Sequence, residues 1–238
     1  MSEFTLIPVA LLTSVLAAIF GAGGGVPLIA VMPGLLPVDA IIPVHAATQL
    51  ASNSSRAALG WRAVDWSVLP PFLAGGLIGA VTGAALFSQL DLRWLPPLMG
   101  VVILWLTWRP APIVSGDGSV ALLLLGFYQT GIGMLIGASG PLGAAVLARR
   151  GLARDGLVVN TAVYMSLNHG LRVGAFLALG FSFAPYAWLL LGLVLAVSLG
   201  SWLGTGLRQR LPEADFKRWF RWIMTLLALR LIASGCLL

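Results

Sequence analysis

Long apolar stretches, separated by short polar breaks, dominate this sequence. Only 9% of the residues are charged, against roughly 25% in a soluble domain, so the chain cannot cover a surface that faces water. Backbone groups in lipid must pair within helices or closed barrels, and the continuous apolar runs lack the alternation of barrel strands. The sequence therefore predicts an all-α polytopic membrane protein. About eight segments approach the ~20 residues of a span: 5–33, 40–60, 66–90, 93–111, 119–148, 155–180, 182–207 and 215–236.

Two glycine clusters interrupt the first and fifth of these segments. The first cluster reads GAGGGVP from Gly21 to Pro27, and the second reads GASGP from Gly137 to Pro141. Both segments are longer than a straight span requires, so we expect each to be broken or re-entrant at its glycines. Broken segments in corresponding positions of an internal repeat indicate the binding site of a transporter.

An internal repeat with an offset of 116 residues (137 − 21 = 116) runs through the chain without a gap. It predicts two tandem four-segment units within a single membrane domain, 1–115 and 116–238. Four spans in each unit would make the repeats parallel, whereas re-entrant glycine segments would make them inverted. The rarer residue types that match at this offset are Arg56 with Arg172, Asp39 with Asp155, and Leu95-Pro96 with Leu211-Pro212.

The distribution of basic residues predicts the orientation in the membrane. Cytoplasmic loops carry an excess of Lys and Arg, and this rule places both termini outside a bacterial inner membrane. One side collects Arg93, Arg149, Arg150, Arg154, Arg208, Arg210, Lys217 and Arg218, and the other has mainly Arg62, Arg109 and Arg230. The net charge of +6 follows from this bias. The sequence has no basic stripe with interleaved aromatic residues, so no nucleic-acid partner is predicted.

Two arginines lie inside apolar segments without a nearby acid. An uncompensated arginine at the bilayer centre costs roughly 2.5–3.5 kcal/mol, so Arg56 and Arg172 must either reach the interface by snorkelling or meet an anion. Their matching positions in the repeat favour an anion site. All the acidic residues fall at or near segment boundaries: Glu3, Asp39, Asp65, Asp91, Asp117, Asp155, Glu213 and Asp215.

Polar side chains cluster around each arginine, in HAATQLASNSSRAAL and NTAVYMSLNHGLRVG. We expect the arginines to neutralise an anion, the backbone N–H groups of the glycine clusters to bind its oxygens, and nearby amides to orient it. His169 and His45 are candidates for a proton relay, with facilitated diffusion as the alternative. The predicted substrate-binding residues are Arg56, Arg172, Gly23, Gly24, Gly25, Gln49, Asn53, Ser139, Gly140, Asn168 and His169.

No metal site or cofactor is predicted. Cys236 is the only cysteine of the chain, which excludes an intrachain disulfide and a cysteine metal cluster. The predicted partners are the small anion and the lipid bilayer, and a homo-oligomer is left open.

The glycine motifs, together with HAATQLASNSSRA and NHGLR, resemble the sulfite exporter TauE/SafE family. This resemblance covers nearly the whole chain and implies a permease for sulfite, a sulfonate or a related organosulfur anion. The second motif departs from the first, with Ser139 and Pro141 in place of Gly23 and Gly25. The two half-sites should therefore be unequal, and the substrate could differ from sulfite.

Two other functions remain open at this point. GASG resembles a motif of rhomboid intramembrane proteases, and a dyad of Ser139 with His169 would make the protein a hydrolase. Against this, the repeat aligns Ser139 with Gly23 and His169 with Asn53, which makes the serine a variant of a structural glycine. A membrane assembly protein that transports nothing is the third function. The sequence leaves the exact substrate and the direction of transport undetermined.

Overall fold

The computed structural model describes residues 2–20, 24–108, 118–137, 147, 152, 154–207 and 214–235. Within these residues the regular secondary structure is helical, which confirms the all-α prediction for this part of the chain. Each of the predicted apolar segments carries helix. The helices are α1 (Leu6–Phe20), α2 (Gly25–Val31), α3 (Val38–Leu59), α4 (Leu69–Phe87), α5 (Leu95–Trp108), α6 (Ser119–Ile136), α7 (Arg154–Ala178), α8 (Ala187–Leu207) and α9 (Ala214–Gly235).

The first predicted segment is broken at its glycine cluster. Helix α1 ends at Phe20 and α2 begins at Gly25. Gly24 lies against α1 so closely that an added Cβ would be 2.4 Å from the carbonyl oxygen of Thr13. At the second cluster, Gly137 ends α6 with a φ of 77°, a left-handed conformation that glycine adopts readily. The rest of that cluster lies outside the described residues.

The exposed and buried surfaces are distributed as in a protein that has lipid as its solvent. Three helices of the described chain are long and apolar enough to cross a membrane, by length and composition: Trp66–Phe87, Ser119–Ile136 and Ala184–Leu207. Large apolar side chains such as Val81 and Leu195 are exposed, whereas His45 and Arg172 are buried. The number of spans stays a prediction.

Glycines bring helix backbones into direct contact at several of the described interfaces, including α4–α6 and α1–α8. Where α4 packs on α6, an added Cβ at Gly75 would lie 1.8 Å from the carbonyl oxygen of Leu123. Where α1 packs on α8, an added Cβ at Gly204 would lie 2.4 Å from the carbonyl oxygen of Val15. Small residues of this kind let helix backbones approach closely in membranes.

Helices α3 and α7 pack against each other and position the polar segments. The other extensive packings join α5 to α9, α3 to α8, and α4 to α7. The short helix α2 contacts α1, α3, α5 and α9. The structure therefore brings together the two helices that carry Arg56 and Arg172, and it places the glycine break next to them.

Gly75→Ala should destabilise the α4–α6 interface. The added methyl group would overlap the Leu123 carbonyl, and overpacking of this kind costs about 1–3 kcal/mol. We expect a lower melting temperature for the purified protein in detergent. Gly174→Ala in α7 is the matched control, because an added Cβ there meets no described atom within 4 Å. Equal melting temperatures for the two variants would contradict the interface.

Candidate functional site

The polar residues of α3 and α7 form inward-facing stripes on the two packed helices. Their spacings of three and four residues place them on one face of each helix, and that face is buried although it is hydrophilic. The buried polar residues of α3 are His45, Thr48, Gln49, Ser52, Asn53 and Arg56, and those of α7 are Asn160, Thr161, Asn168, His169 and Arg172.

Arg172 is enclosed by protein, with 0% of its surface exposed. Its Nη1 donates to the carbonyl oxygen of Gly137 over 3.4 Å and lies 3.2 Å from Nδ1 of His169. Nε and Nη2 have no hydrogen-bond partner among the residues that the structure describes. The guanidinium is therefore held at one nitrogen, and two other nitrogens keep donor hydrogens available.

Arg56 is held in place by its own helix. Its Nη2 donates to Oδ1 of Asn53, and Nδ2 of Asn53 donates in turn to the carbonyl oxygen of Gln49 over 2.7 Å. On α7, Nδ1 of His169 lies 3.2 Å from Nη1 of Arg172, and α7 packs against α3. The two arginines of the repeat thus face one region from opposite helices.

The region around Arg172 is positively charged. Among the described side chains, no carboxylate forms an ion pair with Arg172, and the ion pair that is present joins the exposed Arg93 and Asp91 over 2.6 Å. Since Arg172 is fully buried, it does not reach an interface by snorkelling.

The helix break contacts the site through its backbone. Nε2 of His45 lies 2.9 Å from the carbonyl oxygen of Gly25. An added Cβ at Gly25 would lie 3.2 Å from both His45 Nε2 and Gln49 Cδ, so a larger residue there would require these side chains to shift by a few tenths of an ångström. The ring of His45 also faces the ring of His169, with 5.9 Å between the centroids.

The end of α6 meets α2 beside the buried guanidinium. An added Cβ at Gly137 would lie 1.9 Å from Cδ1 of Ile29 and 3.7 Å from Nη2 of Arg172. Gly137, the first residue of the second glycine cluster, therefore lies next to α2, the helix that follows the first cluster.

The predicted site residues separate into three groups. The first group lies on the facing helices α3 and α7 or at the start of α2, and its polar members are buried. It consists of Arg56, Gln49, Asn53, Asn168, His169, Arg172, His45 and Gly25. Gly24 packs against α1, which gives it a structural reason to be glycine. Gly23, Ser139 and Gly140 lie outside the described residues, and so does the serine of the hydrolase alternative.

A cluster of buried serines was missed by the sequence analysis. Oγ of Ser14 donates to the carbonyl oxygen of Val197 over 2.7 Å and lies 3.1 Å from Oγ of Ser52 and 3.0 Å from Oγ of Ser201. These hydrogen bonds join α1, α3 and α8. Single serines in apolar segments give a weak signal, because they also occur as ordinary contacts between helices.

The repeat offset could have indicated this cluster and its counterpart. It pairs Ser14 with Thr130 (130 − 14 = 116) and Ser52 with Asn168 (168 − 52 = 116). Unlike the serines, Thr130 Oγ1 and both amide atoms of Asn168 are buried without a hydrogen-bond partner in the described part of the chain. Ser14 and Ser52 are therefore hydrogen-bonded, whereas their counterparts Thr130 and Asn168 have buried polar atoms without a hydrogen-bond partner among the described residues.

Asn160 shows that some of the polar residues are structural. Its Nδ2 donates to the carbonyl oxygen of Ala63 over 2.9 Å, and its Oδ1 accepts from the backbone N–H of Asp65 over 2.7 Å. The side chain thus fixes the connection between α3 and α4.

Comparison with known proteins adds an independent finding. The family model described as "Sulfite exporter TauE/SafE" matches residues 6–231. A curated protein of Comamonas testosteroni, "Probable inner membrane transporter protein TsaS", is 32% identical over 98 residues, which are 39% of this chain and 40% of that protein. The chain therefore matches less than half of this relative's length. No solved structure matches the chain significantly.

Ser14→Ala should lower the stability of the bundle. The buried Ser52 and Ser201 hydroxyls would lose a partner, and loss of one partner of a buried polar group costs about 1–3 kcal/mol. Thermal unfolding in detergent measures the effect. Ser54→Ala is the control, because Ser54 is exposed and makes a single hydroxyl contact of 3.3 Å with Ser166. A Ser14 variant as stable as this control would show that the cluster contributes nothing.

Proposed function

This chain belongs to the sulfite exporter TauE/SafE family, and we propose that it is a permease for a small sulfur-containing anion such as sulfite or a sulfonate. Membership of this family makes it a membrane transporter. The Comamonas testosteroni relative is named as a probable inner membrane transporter, which supports a bacterial inner membrane as the location of this chain. The anionic class of the substrate rests on the chemistry of the buried side chains.

The observation that carries the proposal is the buried guanidinium of Arg172. A buried charge without a partner is costly, and a partner of opposite charge offsets part of that cost. Among the described residues no carboxylate serves as this partner, while Nε and Nη2 remain available as donors. A small anion that accepts from these atoms would supply both the charge and the hydrogen bonds.

The neighbouring residues support distinct roles in binding the anion. Arg56 adds a second positive charge and is oriented by Asn53. Asn168 has both amide atoms buried without a partner in the described chain, which suits a residue that orients bound oxygens. A Cβ added at Gly25 would lie 3.2 Å from Gln49 Cδ, and these two neighbouring residues would form the wall of the site on the side of α2. The roles of Gly23, Gly24, Ser139 and Gly140 in binding remain part of this proposal.

We also propose that the two units, 1–115 and 116–238, are related by approximate two-fold symmetry. The 116-residue offset relates α1 to α6, α3 to α7, α4 to α8 and α5 to α9. When each helix is exchanged for its counterpart, the α4–α6 packing becomes the α8–α1 packing, and the α3–α8 packing becomes the α7–α4 packing. The α3–α7 and α5–α9 packings are unchanged by the exchange. All of these packings are present in the structure. A site between α3 and α7 would then lie between units that can rock against each other in alternating access.

Removal of the guanidinium at position 172 should strongly reduce transport. Arg172→Ala deletes the donors, and charged hydrogen bonds contribute about 1.5–3 kcal/mol each, so we expect anion uptake to fall roughly tenfold to a hundredfold. Uptake of radiolabelled sulfite into proteoliposomes measures the change. Arg56→Ala should also reduce uptake.

Arg93→Ala is the control, because Arg93 is an exposed arginine paired with Asp91. Uptake at the wild-type rate is expected for this variant. If Arg172→Ala and Arg56→Ala also transport at that rate, the proposed anion site is wrong.

The proposed orientation has both termini outside the cytoplasm. Cys236, the only cysteine, permits a direct test by labelling intact spheroplasts with a membrane-impermeant maleimide. We expect labelling of the wild type, with Cys236→Ser as the blank. Labelling only after the membrane has been permeabilised would reverse the orientation.

A further inference from the structure

We propose that the bound substrate is an oxyanion that retains one hydroxyl hydrogen, and that Nδ1 of His45 accepts this hydrogen. The inference rests on the proposed anion site and narrows its chemistry. It follows from which ring nitrogen carries the hydrogen in two buried histidines, His45 and His169. The hydrogen-bond partner of each ring identifies that nitrogen.

The partner of His45 fixes where its hydrogen lies. Nε2 is 2.9 Å from the carbonyl oxygen of Gly25, and a carbonyl oxygen can only accept, so Nε2 carries the hydrogen. In a neutral imidazole the other nitrogen is then an acceptor. That nitrogen, Nδ1, is buried and has no hydrogen-bond partner among the described residues. His45 therefore presents an unused acceptor inside the bundle.

His169 has the opposite arrangement. Its Nδ1 lies 3.2 Å from Nη1 of Arg172, and a guanidinium can only donate. Nδ1 of His169 is therefore the acceptor, and Nε2 carries the hydrogen. The two rings lie with their centroids 5.9 Å apart, and of their two acceptor nitrogens only Nδ1 of His45 is without a partner among the described residues.

The charged groups around His45 supply donors and positive charge. His169 faces it from α7 and lies 3.2 Å from Nη1 of Arg172, Arg56 lies on its own helix, and α2 carries no titratable side chain. A third positive charge on His45 would add repulsion beside the guanidinium groups, so the neutral ring is the form that fits. The unused acceptor must then be satisfied by a hydrogen that the ligand provides.

This pattern of several donors and one acceptor selects among tetrahedral anions. A hydrogen-bearing oxyanion donates its O–H to His45 and accepts from Arg172 through its other oxygens. A sulfonate has no hydrogen to donate, so it leaves Nδ1 of His45 buried and unpaired. Loss of one such hydrogen bond corresponds to roughly tenfold weaker binding.

Two probes of equal charge and similar shape test the inference. Methylphosphonate as its monoanion and methanesulfonate both carry a methyl group and three oxygens, but only the phosphonate has an O–H. We expect the wild-type protein to bind methylphosphonate about tenfold more tightly, measured by calorimetry at a pH where the monoanion dominates. This comparison requires no variant.

His45→Gln then identifies the group responsible. The Gln amide nitrogen can replace Nε2 as the donor to Gly25, but nothing replaces the Nδ1 acceptor. We expect this variant to lose the preference, so that its affinities for methylphosphonate and methanesulfonate are equal. His45→Asn places an amide atom near the Nδ1 position and should keep part of the preference.

The outcomes separate this inference from the proposed function. Equal wild-type affinities for the two probes, or a preference that survives in His45→Gln, would overturn the role of His45 while leaving the anion site intact. Folded wild-type protein that binds neither probe would overturn the anion site, and the inference with it.

Discussion

The burial of Arg172 is the constraint around which the site is organised. A guanidinium in the interior of a membrane protein is costly, and this one is fully enclosed. One nitrogen is held by Gly137 and His169. The packing of α3 on α7 brings a second arginine, Arg56, to the same region. These contacts fix the position of the charge but do not neutralise it, and the proposed anion would supply the missing opposite charge.

Glycines allow the close backbone contacts that hold the helices around this charge. Close contacts at Gly75 and Gly204 hold the helices together through their main chains, so the apolar side chains can face outward to lipid. The break before α2 brings the carbonyl oxygen of Gly25 to His45. The first carbonyl group of α2 thus orients His45, and α2 is held in position by its contacts with α1, α3, α5 and α9.

Much of this architecture could be predicted from the sequence, because membrane helices have a strong compositional signal. The helical segments, the break after Phe20 and the burial of His45 followed from apolar runs, glycines and polar clusters. The sequence did not predict which helix each glycine packs against. Gly24, for example, packs against α1 because of the way α2 lies on α1. The serine cluster at Ser14 was missed for a similar reason. Its three serines lie far apart in the sequence, and only the packing of α1, α3 and α8 brings them together. The two tandem units remain a prediction, which the exchange of helix packings supports.

The charge on Arg172 has a consequence for energetics in a polarised membrane. Each elementary charge that crosses the field is worth about 2.3 kcal/mol per 100 mV. In an alternating-access cycle the empty site carries its full positive charge, and a bound monoanion cancels one unit of it. In the proposed cycle the return of the empty protein would therefore respond more strongly to membrane voltage than the loaded step. A potential that is negative inside would favour the empty form that is open to the cytoplasm, without a dedicated voltage sensor.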